Sequence, residues 1–329
     1  MAISTPALRQ RVALPRPLAR CAATIREIGE TPAGKAGLIF VAVMLFVAAF
    51  ANLLAPYSAN NRDLPHRLEG PSLHHLLGTD DLGHDNLSRL LFGARIALQI
   101  AVPTMAIALT LGILLGLTAG YFGGKIDAAI VVLLDTLMAF PGLLLTLALV
   151  AVLGPTLYNL IFILAIGFFP GYGRIVRGSV LSAKQSLYIE AEQSLGARGR
   201  RILLHHLAPN VVAPLLVMFA MDMPVVITAE AGLSIIGLGV PPPSPSWGAM
   251  LSNGTQIVQL TVWPLIWAFL ALTLTALFMT LLGERLQEMN DPSLAGLKGR
   301  RLRKRVAVPT ADDEETETKD DLEMKVRVL

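Results

Sequence analysis

Two sets of residues have the types and spacing to do chemistry: a polar, basic island between apolar segments, and a few carboxylates within those segments. Residues 186–196 of the island read as a helix with Ala191 and Leu195, four residues apart, on one face. Glu190 lies near its start, where the helix dipole favours an anion, and Gly196 suits a left-handed residue that ends it. These features indicate a docking surface for a separate soluble subunit. The same spacing is also typical of a solvated connecting loop.

The second half of the island is basic. Residues 197–206 form a second short helix that carries Arg198, and Pro209 then resets the chain before the next apolar segment. The two helices make a bracket with an apolar knob, a carboxylate and a basic flank. The neighbouring His205 and His206 point to different faces, so we interpret them as ordinary loop residues rather than metal ligands.

Four carboxylates lie in or near the apolar segments: Asp127, Asp135, Asp222 and Glu230. A charged residue at the centre of a bilayer costs about 2.5–3.5 kcal/mol on insertion scales, so such residues are candidates for function. We take Asp222, Glu230 and Asp135 as possible pathway residues. The carboxylates could equally pair with Arg174 or form structural hydrogen bonds between helices.

Motifs that the sequence lacks exclude several enzyme classes. It contains no phosphate-cradling G-x-x-x-x-G-K-[ST] and no H-E-x-x-H, so we expect neither ATP hydrolysis nor zinc proteolysis by this chain. Cys21 is the only cysteine, which excludes a disulfide framework and a thiolate metal site. We therefore expect no catalytic residue, no metal ligand and no bound cofactor. We also expect no nucleic-acid partner.

An acidic cluster precedes the second apolar segment. The spacing of Asp80, Asp81 and Asp85 does not match the EF-hand calcium pattern. We instead expect these acids and Thr79 to cap a helix that begins near Asp85 or Asn86. That helix has the pattern of an interfacial helix that leads into the second span.

The composition indicates an all-α polytopic membrane protein. The 329 residues are 53% hydrophobic and 16% charged, whereas soluble domains carry about a quarter charged residues. The apolar runs have the length of about 20 residues that crosses a bilayer core. The first ends near Ala49-Phe50-Ala51, which resembles a signal-peptidase site, but the run is long for a signal peptide. We predict six spans, near residues 38–55, 96–121, 126–152 (broken at Pro141-Gly142), 157–176, 211–238 and 260–282.

Lys and Arg are biased to one side of these spans. With the N-terminus inside, residues 1–37, 177–210 and 283–305 carry six, five and seven, whereas 56–94 carries three and 239–259 none. The positive-inside rule thus predicts both termini in the cytoplasm. The predicted regions are a cytoplasmic tail (1–37), a first helix (38–55), an extracytoplasmic segment (56–94), a five-helix core with loop 177–210 (95–283) and a basic then acidic tail, disordered at its end (284–329).

Several motifs resemble one family of transport proteins. Glu190-Ala191-Glu192-x-x-x-Gly196 resembles the EAA loop of ABC-importer permeases, with departures at Glu192, His206 and Ala208. The C-type permeases of dipeptide, oligopeptide and nickel importers are similar at further motifs: residues 77–95, Gly120-Tyr121-Phe122-Gly123-Gly124, Asp135 with Ala139-Phe140-Pro141, Pro170-Gly171-Tyr172, Glu230-Ala231 through Gly239, and Pro242 through Gly248. The resemblance covers residues 38 to 293.

The resemblance implies the six-helix ABC-importer permease (MetI-like) core in a bacterial inner membrane. It implies a homologous B-type permease, two ATPase subunits that bind ATP and Mg²⁺, and an extracytoplasmic solute-binding protein as partners. Glu190, Ala191, Leu195, Gly196 and Arg198 would then couple the ATPases to alternating access. Peptides are the expected solutes, with nickel or another small solute as the alternative.

Two other classes remain possible from the residues alone. Interrupted helices near Pro141, Pro170 and Pro224 also fit an ion-coupled secondary transporter, although no inverted repeat is evident. A purely structural membrane scaffold would have no use for the polar island.

Overall fold

The computed structural model describes residues 24–185 and 208–290, and helices account for most of that part. The chain to Leu286 forms one compact unit, and Gln287–Leu329 forms a second, described only as far as residue 290. The helices are α1 (Pro32–Leu54), α2 (Asn86–Phe122), α3 (Gly124–Met138), α4 (Gly142–Leu153), α5 (Leu157–Lys184), α6 (Ala208–Ile235), α7 (Trp247–Gln256) and α8 (Trp263–Asn290).

Five helices in the described ranges are long and apolar enough to cross a membrane: α1, α2, α5, α6 and α8. The pair α3 and α4 passes the same criterion together but is bent by 89°. The break lies at Pro141-Gly142, where the proline cannot continue the hydrogen-bond ladder of α3. Counting that pair as one span gives six, which agrees with the predicted all-α polytopic architecture.

Local signals explain where the helices begin and end. The Thr31 side chain accepts from the Gly34 backbone N–H at the start of α1, and Pro32 follows it directly. Gly123 stops α2 with a φ of 66°, which a residue with a side chain rarely adopts. The expected interfacial helix and second span are a single 37-residue helix, α2, that runs through Pro103.

The interface between α2 and α5 forms the centre of the fold. Gly112, Gly116 and Gly120 of α2 face α5 without space for a side chain. A Cβ atom on Gly112 would lie 2.4 Å from the Cβ of Tyr172, and one on Gly116 would lie 2.6 Å from the Gly173 carbonyl oxygen. The four-residue glycine spacing therefore allows the close helix approach that such spacing predicts.

The connecting segment, residues 55–85, is folded around buried acids. Asp80 accepts from the backbone N–H of Leu82 (2.9 Å) and His84 (2.8 Å) and pairs with Arg89 at 2.6 Å. Burial raises the pKa of the Asp80 carboxyl, but the hydrogen bonds from His84 and the charge of Arg89 outweigh burial and hold it below its ordinary value. Asp80 therefore ties this segment to the first turn of α2.

The acids of this segment do not share the capping role expected for them. Asp85 is the N-cap of α2, with Ser88 N–H donating at 2.8 Å. Thr79 instead donates to the His66 carbonyl, and Asp81 accepts from Asn253 at 2.9 Å. The prediction that Thr79, Asp80 and Asp81 cap α2 is therefore wrong, because each is engaged elsewhere.

The loop after α6 contains a helix, α7, that the sequence pattern did not reveal. Trp247 at its start donates from its indole nitrogen to the Leu90 carbonyl of α2 at 2.9 Å. A Cβ on Gly93 would lie 2.4 Å from Trp247 Cδ1, so the indole rests directly on the α2 backbone. Below this contact, Gly248 leaves no space against Ala231 of α6. α7 is thus wedged between α2 and α6.

Candidate functional site: intramembrane carboxylates and two cavities

The five predicted coupling residues, Glu190, Ala191, Leu195, Gly196 and Arg198, lie outside the described residues. The described chain reaches this loop through the end of α5 and leaves it through the start of α6. α5 extends eight residues beyond the predicted span end at 176, so Arg177 and Lys184 belong to the helix rather than to the loop. Lys184 donates to the Tyr121 carbonyl at 2.8 Å and so joins the ends of α5 and α2.

Two acids of α3 pair with arginines of α5. Arg177 binds Asp127 through two nitrogens, at 2.5 and 2.7 Å, which is the bidentate geometry of strong guanidinium–carboxylate pairs. Arg174 pairs with Asp135, the partner that the sequence analysis named as one alternative to a pathway role. These two pairs hold α3 along the side of α5.

Asp222 of α6 also contacts α5. The Tyr172 hydroxyl donates to its carboxylate at 2.8 Å, and Tyr172 is only 1% exposed. Residues two apart on a helix point to nearly opposite sides, so Tyr172 and Arg174 face away from each other. Asp135 and Asp222 therefore flank α5 from different directions and do not form one cluster.

Glu230 lies two turns further along α6 and is 4% exposed. The Ser234 hydroxyl, four residues along the same helix, donates to it at 2.8 Å. Glu230 is therefore a buried carboxylate whose hydrogen-bond partner belongs to α6 itself.

A polar cavity of about 410 Å³ lies between the connecting segment and α7. Its charged and amide side chains come from both sides: Asn60, Arg62, His84, Arg89, Asn253 and Gln256. Residues 239–244 and Ser234 complete its lining. Because Ser234 also bonds to Glu230, the buried carboxylate lies directly behind the wall of this cavity.

An apolar cavity of about 340 Å³ lies where α4, α5 and α6 meet. Each helix contributes lining residues, such as Thr146 from α4, Gly167 from α5 and Leu233 from α6. Leu233 precedes the polar-cavity residue Ser234, so one turn of α6 contributes to both cavities. Neither Asp135 nor Asp222 lines either cavity. Their predicted pathway role stays a prediction.

Neither the pairing of Tyr172 with Asp222 nor that of Arg177 with Asp127 was predicted from the sequence. A signal was available for Arg177, since it follows Arg174 by three residues and therefore lies on the same side of a helix. No such signal marked Tyr172, which lies on another side of α5. These groups hold the helices together by ion pairs and hydrogen bonds.

Comparisons with known proteins agree with this arrangement. Residues 112–296 match the family model of binding-protein-dependent transport system inner membrane components, and residues 30–71 match the N-terminal transmembrane domain of oligopeptide transport permease C. A solved chain of the methionine ABC transporter MetNI has the same fold, with a TM-score of 0.51 at 16% identity over 62% of this chain and 97% of that one.

Curated relatives extend over most of the chain. The dipeptide transport permease DppC of Alkalihalophilus pseudofirmus is 38% identical over 78% of this chain and 85% of its own length. The glutathione transport permease GsiD of Pectobacterium atrosepticum is 41% identical over 82% and 89%, and that of an Escherichia coli strain is 42% identical over 78% and 86%. The chain therefore belongs to the family of binding-protein-dependent transport system inner membrane components, and it is a non-catalytic permease subunit of an ABC transporter.

Proposed function

We propose that this chain is one of two permease subunits of an importer that moves di- or oligopeptides into a bacterial cell. The observation that carries the proposal is identity of 38–42% over about four fifths of the chain to permeases named for dipeptide and for glutathione. Glutathione is itself a tripeptide, so the named solutes of both relatives belong to one chemical class.

The proposed assembly contains four further proteins: a homologous B-type permease, two ATPase subunits that bind ATP and Mg²⁺, and an extracytoplasmic binding protein. The proposed location is the cytoplasmic membrane, with both termini inside, as the Lys and Arg bias favours. In this orientation the polar cavity opens to the outside. Its guanidinium and amide groups can hydrogen-bond to the carboxylate and amides of a peptide.

Coupling is proposed to run through residues 185–207, between α5 and α6, into both helices. Glu190, Ala191, Leu195, Gly196 and Arg198 would contact an ATPase subunit, and the loop is joined directly to α5. Because α3 is fastened to α5 by the Asp127–Arg177 pair, a movement of α5 would carry α3 with it.

The decisive test of coupling is Gly196→Asp in the complex reconstituted with its ATPases and binding protein. An aspartate at the end of the docking helix places a charge and a side chain where close contact is proposed. We expect membrane insertion to remain normal and the stimulation of ATP hydrolysis by solute-loaded binding protein to be abolished.

A matched control is Gln193→Asp, which adds the same charge on the side of the predicted helix that faces away from Ala191 and Leu195. We expect this variant to retain stimulation. Normal coupling in the Gly196→Asp complex would contradict the proposed docking role. The solute is tested separately by uptake of labelled dipeptide, with glutathione and Ni²⁺ as competitors. Uptake that Ni²⁺ blocks and peptides do not would contradict the peptide assignment.

A further inference from the structure

The connecting segment brings one carboxylate and two imidazoles together at its surface. Asp63 precedes and His66 ends a short 3-10 turn, and His75 approaches from further along the chain. One ligand atom from each of these three residues lies within 4.8 Å of the other two. The proposed transport function uses none of them.

His75 is held in a fixed orientation by Asp85. Its Nδ1 atom lies 3.0 Å from Asp85 Oδ1, and the two side chains are 2% and 1% exposed. The other Asp85 oxygen accepts from Ser88, so this carboxylate is fixed as the N-cap of α2. An acceptor at that position places the proton of the neutral ring on Nδ1 and leaves the Nε2 lone pair free. Carboxylate–histidine pairs of this kind are typical of metal sites.

The Nε2 atom of His75 lies 3.5 Å from Asp63 Oδ2, so a ring nitrogen and a carboxylate oxygen lie close enough to bind one ion together. His66 Nδ1 lies 3.0 Å from the same Asp63 oxygen and supplies a third ligand atom. Zinc bonds of 2.0–2.2 Å place tetrahedral ligand atoms about 3.3 Å apart, between these two distances.

The backbone around the three ligands is fixed by bonds that do not involve them as ligands. The Asp63 N–H donates to the Gly83 carbonyl at 3.0 Å. Thr79 Oγ1 donates to the His66 carbonyl at 2.5 Å and accepts from the Glu69 N–H at 3.0 Å. A site whose ligands are held by their surroundings loses little entropy when an ion binds.

We propose that Asp63, His66 and His75 bind one divalent cation of the zinc class, with Asp85 as the residue that positions His75. Two imidazoles and one carboxylate suit Zn²⁺, whereas Ca²⁺ and Mg²⁺ take oxygen ligands. The Asp63 and His66 side chains are 35% and 47% exposed, so water can enter and complete the fourth position. The bound ion fastens the 3-10 turn to the N-terminus of α2.

The test is metal binding to the purified full chain, prepared without a polyhistidine tag. Co²⁺ serves as the spectroscopic probe, because tetrahedral coordination gives intense visible bands, and Zn²⁺ displaces it in competition. We expect the wild type to bind a single equivalent. His66→Asn and Asp63→Asn should weaken binding at least about tenfold, and Asp85→Asn, which can still cap α2, should weaken it by about 10–100-fold.

His74→Asn is the matched control, since His74 is an exposed histidine that neighbours the site and contributes no ligand atom. It should bind like the wild type. His66 is itself exposed, so its loss leaves the packed core intact, and an unchanged elution volume confirms folding. No binding by the wild type overturns the proposal. Equal binding by wild type and His66→Asn overturns it as well.

Discussion

Asp80 illustrates how single residues build the connecting segment. Four bonds converge on its carboxylate, from two backbone amides, the His84 ring and the Arg89 guanidinium. Its side chain is 3% exposed and that of Arg89 is 14% exposed. A buried ion pair of this kind adds little net stability, but the loss of one partner leaves the other charge uncompensated.

We predict that Asp80→Asn lowers the free energy of unfolding by about 3–5 kcal/mol at neutral pH. The folded pKa of Asp80 lies below the ordinary value of 3.8, so its contribution is complete above that value. It is lost as the pH falls through the folded pKa. Thermal unfolding in detergent should therefore show wild type and variant converging in strong acid. Identical stability at neutral pH would contradict this role. Asp81→Asn serves as the control, because Asp81 is only half-buried and its carboxylate accepts a hydrogen bond from Asn253 rather than pairing with an arginine.

At the scale of elements, the contact between α2 and α5 depends on the absence of side chains. Gly116 approaches the Gly173 carbonyl, whereas Gly171, on the same α5 helix, has open space around its Cβ position. Substitution by alanine is therefore expected to have opposite effects on stability at Gly116 and at Gly171.

We predict that Gly116→Ala destabilises the purified chain by about 1–3 kcal/mol, because the added methyl group must push α5 away. Gly171→Ala should leave stability unchanged or raise it, since alanine is the better helix former by about 1 kcal/mol. Midpoints of thermal aggregation in detergent measure both. A Gly116→Ala protein as stable as Gly171→Ala would show that the helices are not packed this closely.

The predictability of these elements follows from how local their signals are. Neighbouring residues alone specify three features: the long apolar runs, the Asp85 cap and the Pro141-Gly142 break. The described helices agree with all three. The 89° bend after Met138 was not predictable, since proline permits a bend without setting its angle. α7 was missed because it is short and polar, and because its main anchor, Leu90, lies 157 residues away. The pairing of Tyr172 with Asp222 depends on packing between helices, which no local pattern specifies, whereas the spacing from Arg174 indicated only the side of α5 on which Arg177 lies.

At the scale of the whole molecule, the distribution of Lys and Arg favours one orientation across the membrane. The basic residues concentrate in the two terminal regions and in the loop 177–210, while the connecting segment and the region of α7 carry few. The polar cavity lies on the side that carries few basic residues. The orientation proposed above places this side outside the cell.

We predict that a membrane-impermeant maleimide, added to intact cells, labels Asn60→Cys in a Cys21→Ser background. The single native cysteine, Cys21, should be labelled only after the membrane is permeabilised, because it lies in the predicted cytoplasmic tail. Labelling of Cys21 in intact cells together with protection of Asn60→Cys would reverse the orientation.

The contact between Trp247 and Leu90 also sets an order for biosynthesis. Its two partners are 157 residues apart, so the start of α2 waits roughly 8–30 s for α7 at a synthesis rate of about 5–20 residues per second. Trp267 reaches the Leu77 carbonyl later still, across 190 residues. The bonds of Asp80 and Asp85 are local and form at once. The connecting segment can therefore fold early in synthesis, and α7 and α8 pack against it and against the start of α2 once they have been made.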